Sequence, residues 1–90
     1  MTLPHPNTLL KAAEICISQD KPIMLDYFQP SCNGACQIGK ENEEKVLYKD
    51  EDEFTSPIKT VLKVDNSPAS VEYLFETVNS VYVVSSQMLG

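Results

Sequence analysis

Gly34, Gly39 and Lys40 stand at the spacing of a phosphate-binding loop: glycine, four residues, Gly-Lys, then Ser or Thr. Such a loop cradles phosphates with backbone N–H groups, sends its lysine to the outer phosphates and sets the hydroxyl on magnesium. In NGACQIGKENEEK the hydroxyl's place is taken by Glu41, whose charge repels phosphate. The chemistry also requires a buried strand before the loop and a helix N-terminus after it. Glu41-Asn42-Glu43-Glu44 carries no amphipathic helical stripe. Asn33-Gly34 reads better as a two-residue hairpin turn between IMLDYF and ACQIGK, with Gly39 marking a bulge near the end of the second strand. No cofactor is expected.

Cys32 and Cys36 bracket that turn. Structural zinc needs four ligands, with cysteines commonly spaced as C-x₂-C. Only Cys16, Cys32, Cys36 and His5 are on offer, so no metal site is expected. The spacing also excludes a thioredoxin-like pair. Across a two-residue loop, Cys32 pairs with Ala35 and Cys36 points to the opposite face. Across a three-residue loop the two thiols face each other, and oxidation can bridge them. An odd cysteine count without a secretory pattern at the N-terminus favours free thiols and an intracellular, reducing compartment, the cytoplasm or nucleus. Cys16 falls on an apolar helix face and reads as core. Nucleophilic catalysis needs a base beside the thiol. His5 precedes the folded part, so no catalytic residue is expected and the chain reads as a non-enzyme.

The remaining chemistry is acidic. Glu41, Glu43 and Glu44, then Asp50, Glu51, Asp52 and Glu53, crowd into thirteen positions that hold only Lys45 and Lys49 in opposition. Such runs serve as solvated surface, or as a field that steers a basic protein partner. The whole chain carries 13 acidic and 7 basic residues, a net charge of −6. Every basic residue is lysine; no arginine supplies the planar fork that grips phosphate and guanine. That balance argues against nucleic acid as partner.

The elements that must position these residues follow from periodicity. Residues 1–6, with Pro4 and Pro6, read as an irregular lead-in. Asn7 caps an amphipathic helix over 7–19, whose apolar face is Leu9, Leu10, Ala13, Cys16 and Ile17. Short strand-like runs then recur at 21–28, 35–40, 44–49, 58–64, 71–78 and 81–86, with Asn79-Ser80 as a tight turn between the last two. Ninety residues make a single domain, with 21–86 as its β part. The fold class is mostly β with one N-terminal α-helix: a small antiparallel barrel of SH3-like or Sm-like kind, or a curled sheet. Leu10, Ala13, Ile17, Leu25, Val61, Leu74 and Val83 are the expected core. No run approaches the roughly 18 apolar residues of a membrane-spanning helix.

The segments EKVL at 44–47, EDEFTSPI at 51–58 and TVNSVYV at 77–83 resemble short uncharacterised proteins of large DNA viruses of protists, over about two thirds of the chain. That resemblance implies a small viral protein, a virion component or host-interacting factor, and no catalytic residue. The leading function is a non-enzymatic interaction or structural module offering acidic surface to a protein. An Sm-like binder of single-stranded RNA and a small thiol-dependent enzyme are the alternatives. The opening motif gives the first prediction. Titration with ATP and magnesium leaves the amide resonances of Gly34–Glu41 unmoved, and Lys40→Ala alters neither fold nor nucleotide response; saturable shifts lost in Lys40→Ala contradict this.

Overall fold

Val71–Thr77 and Val81–Ser85 carry apolar side chains at consecutive positions, and strands of that kind need cover on both faces. The computed structural model, which describes residues 3–89, supplies it from two directions. The elements in order are helix α1 (Pro6–Gln19), strand β1 (Ile23–Met24), a short helix α2 (Phe28–Cys32), strands β2 (Gln37–Glu41) and β3 (Glu44–Tyr48), strands β4 (Ile58–Asp65), β5 (Val71–Thr77) and β6 (Val81–Ser85), and a 3₁₀ turn (Ser86–Leu89). Strands β4, β5 and β6 form an antiparallel meander, and β1 pairs parallel to β6. The sheet order is β1-β6-β5-β4, while β2 and β3 form a separate hairpin. Among the described residues the strands do not close into a barrel.

Side chains alternate across the central strands, so each strand feeds two cores. Leu74, Val81, Val83 and Val64 gather with Ala12 of α1 and Phe28 of α2, flanked by Ile15, Cys16, Ile23 and Cys32. On the other side Phe75 and Val84 gather with Leu47 of the hairpin, Cys36, Tyr27 and Met88. Fully burying one such aliphatic side chain stabilises the fold by roughly 1.5–3 kcal/mol.

Helix α1 is fastened at both ends to the same face of β5. At its start, the Glu72 carboxylate accepts the His5 backbone N–H at 3.1 and 3.3 Å, placing negative charge at a helix N-terminus. Beyond its end, Lys21 Nζ donates to Glu76 Oε2 at 2.7 Å and to the Thr77 carbonyl at 2.8 Å. Between them, Asn66 accepts from the Asn7 side chain and donates to the Thr8 hydroxyl, both at 2.9 Å.

Several expectations are corrected. The helix begins at Pro6, in the favoured first position, and its cap is His5, whose Nδ1 accepts from the Asn7 N–H, so Asn7 is not the cap. Its buried face is Thr8, Ala12 and, in part, Ile15 and Cys16; Leu10 and Ile17 lie on the opposite side at 59% and 83% exposure. The small Ala12 permits close approach to the sheet, and Asn66 satisfies the Thr8 hydroxyl. Ala13 is half-buried, while Leu25 and Val61 are exposed; Leu74 and Val83 are buried as expected.

The expected strand over 21–28 is paired only at Ile23–Met24, because Phe28–Cys32 coils into α2 with Pro30 in its first turn. Asn33-Gly34 therefore ends a helix and does not turn a hairpin. Gly34 has φ 71°, its N–H bonds to the Ser31 carbonyl, and the Ala35 N–H bonds to the Pro30 carbonyl, the paired bonds of a Schellman cap. The β5–β6 reversal falls at Val78-Asn79, one residue early, closed by Thr77 N–H to the Ser80 carbonyl at 2.8 Å.

These positions separate cleanly under mutation. Leu74→Ala costs about 2–5 kcal/mol of stability in urea denaturation, whereas Ile17→Ala changes it by less than about 0.5 kcal/mol. Equal losses at the two sites contradict the orientation of α1.

Candidate functional site

The seven acidic residues sit on the β2–β3 hairpin and the loop that follows it. Asn42 and Glu43 turn the hairpin with φ of 51° and 70°, the geometry of a type I′ turn. Asparagine accepts that conformation readily; glutamate at positive φ is uncommon. The register then sets Glu41 opposite Glu44, and Lys40 opposite Lys45. Like charges directly opposed across a ladder are destabilising. Glu41 gains partial relief from Tyr48, whose hydroxyl donates to its carboxylate; that hydrogen bond is the main cause of a raised Tyr48 pKa.

The Tyr48 ring lies over Gly39. A Cβ there would meet Tyr48 Cε2 at 2.5 Å, so Gly39 is an open seat for an aromatic ring and not a bulge. The three residues of the apparent phosphate loop thus do three unrelated things. Gly34 closes α2, Gly39 seats Tyr48, and Lys40 faces Lys45. After Lys40 the chain enters a hairpin turn, with no helix N-terminus there for a phosphate.

The second acidic run is a built turn. Asp50 Oδ1 accepts the N–H groups of Asp52 and Glu53 at 2.8 and 2.9 Å, and the Lys49 N–H bonds to the Glu53 carbonyl at 2.9 Å. Lys49 Nζ stands 3.6 Å from Glu53 and 5.7 Å over the Tyr27 ring. Strand β3 separates the groups, roughly 15 Å at about 3.3 Å per residue. Glu41, Glu43 and Glu44 hold one end; Asp50, Glu51, Asp52 and Glu53 hold the other. The sequence run is therefore two clusters, not one patch.

A concavity that sequence reasoning missed lies between the lead-in, α2 and the starts of β5 and the 3₁₀ turn. A pocket of about 400 Å³ is lined by His5, Cys32, Ser70, Glu72 and Ser85, among others. Glu72 is only 4% exposed and is held by the His5 N–H. His5 Nδ1 accepts from Asn7, which assigns the proton to Nε2. The Ser70 hydroxyl is buried without a partner. The expectation that His5 precedes the folded part is corrected: the lead-in packs on β5, sixty-seven residues away in sequence, and His5 lines the same pocket as Cys32. Pro6, a favoured first helical residue, was the local signal. Among the described residues, no three His, Cys, Asp or Glu side chains gather as a metal-holding group.

All three cysteines are free. Cys32 borders the helix-side core, while Cys36 is buried in the hairpin-side core, its Sγ 3.6 Å from the Tyr27 carbonyl. The two alternatives for a Cys32–Cys36 hairpin both fall with the hairpin itself. Burial pushes the Cys36 thiol from its ordinary value up to about 11, opposed weakly by Lys49.

No family model, curated relative or solved structure matches the chain.

The thiols yield the next prediction. Native protein treated with iodoacetamide is alkylated at Cys32 well before Cys36, which reacts only on unfolding. Above its ordinary pKa the thiol ionises in the unfolded chain but stays neutral in its buried site, so rising pH favours unfolding. Stability is therefore flat below the unfolded thiol's pKa, near 9, and declines as pH rises from there towards about 11. A Cys36→Ser variant shows a shallower decline, since burial also raises Cys16, Tyr27 and Tyr82. Equal alkylation of both thiols in mass spectrometry contradicts the burial.

Proposed function

We propose that this chain is a non-enzymatic protein-interaction or structural module whose acidic hairpin tip engages a basic protein surface. The observation that supports it most is the opposition of Glu41 and Glu44, with Glu43 beside them at positive φ. Among the described residues only Glu53 of the seven candidates has an ion-pair partner. Charges that oppose each other and lack counterions do little for the fold, and a cationic partner relieves them on binding. Asp50 is set apart, since it organises its own turn.

Within this proposal we favour the curled-sheet form of the fold. The parallel β1–β6 pair and the detached hairpin argue against the SH3-like or Sm-like barrel. The absence of arginine and the net charge of −6 argue against the Sm-like RNA-binding alternative. A viral role, as virion component or host-facing factor, rests on the sequence resemblance. A reducing compartment is supported by three free thiols. No helix among the described residues is long and apolar enough to cross a membrane.

A second reading has one observation in its favour. The pocket that holds His5, Cys32 and Glu72 joins the residue types of a thiol-dependent enzyme.

A lysine-rich peptide titrated into labelled protein distinguishes the two. The interaction reading expects saturable amide shifts centred on residues 41–44 that vanish in high salt. Glu43→Gln with Glu44→Gln, which spares the Tyr48–Glu41 bond, weakens binding at least about fivefold, a loss of ~1 kcal/mol. Absence of saturable shifts contradicts the proposal. Turnover of a thiol-reactive ester abolished by Cys32→Ser supports the second reading in its place.

A further inference from the structure

The four-stranded sheet ends at β4, an eight-residue edge strand. Five consecutive residues, Lys59 to Lys63, are exposed, including Val61 at 47% and Leu62 at 40%. On the helix side Leu62 opens into a groove shared with Ile15 and Thr60.

The direction of the free backbone groups follows from the cross-strand hydrogen bonds. Thr77 N–H bonds across to Ser80, so odd-numbered residues of β5 address β6, and even-numbered ones address β4. The bonds Asn66 N–H to Ser70 and Val78 N–H to Pro57 keep the same parity. Glu76, Leu74 and Glu72 register with Thr60, Leu62 and Val64, so these three spend their backbone bonds inward. The N–H and C=O groups of Val61, Lys63 and Asp65 therefore point away from the sheet, unpaired.

We propose that this edge takes a second copy of the same chain, β4 against β4 in antiparallel register centred on Leu62, making an eight-stranded sheet across a two-fold axis. Charge selects the occupant and the register. In a chain of net charge −6, β4 carries Lys59, Lys63 and only Asp65, and it is long enough to pair, so two acidic molecules meet along it without setting carboxylate against carboxylate. Centring on Val61 sets Lys59 against Lys63 of the second copy. Centring on Lys63 sets that residue against itself. Both are penalised.

Centring on Leu62 sets Val61 against Lys63 of the second copy, twice, and both have outward backbone groups free to bond. The two Leu62 side chains meet at a non-hydrogen-bonded position, where cross-strand side chains are closest. Asp65 lies at the end of the ladder near Lys59 of the second copy, at the bulge between Ile58 and Thr60. Centring on Val64 also opposes Lys63 and Asp65, but the overlap shrinks to the strand end and leaves Leu62 uncovered. Edge lysines and a bulge commonly limit open-ended pairing, and here they leave one closed, isologous arrangement. The acidic clusters take no part, so this surface stands or falls independently of the partner proposed for them.

Sedimentation equilibrium on the full chain, over a wide concentration range, is the test. A monomer–dimer equilibrium is expected, with hydrogen exchange at the Val61, Lys63 and Asp65 amides slowing as concentration rises. The Leu62 and Val64 amides are protected throughout. Val61→Pro removes an outward N–H only and weakens dimerisation at least about tenfold, the scale of ~1.4 kcal/mol. Asp65→Lys also weakens it, and Lys59→Asp in the same chain restores it. A monomer at every concentration overturns the proposal. So does a dimer indifferent to Val61→Pro, or rescue of Asp65→Lys by Lys63→Asp in place of Lys59→Asp.

Discussion

Burial of β5 and β6 on both faces is the constraint from which the other packing follows. Leu74 registers with Val83 on one side, and Phe75 with Tyr82 on the other. A slip of one residue would exchange the two sets and put each against the wrong cover. Neither strand can rest with a face in water, because each face carries large apolar side chains. One face recruits α1, the other the β2–β3 hairpin, and α2 contributes to both cores through Phe28 and Tyr27, its preceding residue. Strand β4, which lacks that double cover, stays exposed from Lys59 to Lys63 although it pairs with β5 on both sides of its bulge.

Polar groups set where the helix lies. On the helix side β5 reads Glu72, Leu74, Glu76, an apolar centre between two carboxylates. Glu72 holds the start of α1 and Glu76 holds Lys21 beyond its end, so the helix axis is pinned over Leu74. Charge-assisted bonds of this kind are stronger than neutral ones, and their partly buried setting limits screening. On the α2 side, Ser31 Oγ donates to the Phe28 carbonyl and accepts the Ser85 N–H at 2.9 Å, tying the short helix to the end of β6.

Charge is distributed unevenly over this frame. Carboxylates that the fold uses, Glu72, Glu76 and Asp50, have donors at hand. Those at the hairpin tip face each other, apart from the Tyr48 contact of Glu41. Lys59 and Lys63 lie on the uncovered edge of β4, while Lys40 and Lys45 oppose each other on the hairpin. The hairpin tip and the edge of β4 thus both remain outside the cores, and the interaction reading rests on the first of them.

Most local elements were legible in the sequence, with the exception of α2, whose residues fell in or beside a run read as a strand. The 3.6-residue rhythm after Pro6, the β-branched and apolar runs of β4 to β6 and the polar turn at 41–43 are steric and hydrophobic patterns contained within a few residues. The positive φ of Gly34 was legible too, since only glycine adopts it at little cost, although whether it served a hairpin or a helix cap was not. Tertiary structure decided the rest. Leu10 and Ile17 outrank Thr8 and Ala12 in hydrophobicity, yet the smaller pair is buried, because Asn66, fifty-eight residues from Thr8, satisfies the hydroxyl. His5 lines a pocket only because Glu72 captures its backbone, and Gly39 matters only because Tyr48 lies on it. The seven acids read as one patch until a strand separated them. Propensity acts within a turn of chain, whereas burial, cavities and charge opposition depend on which distant residues arrive beside them.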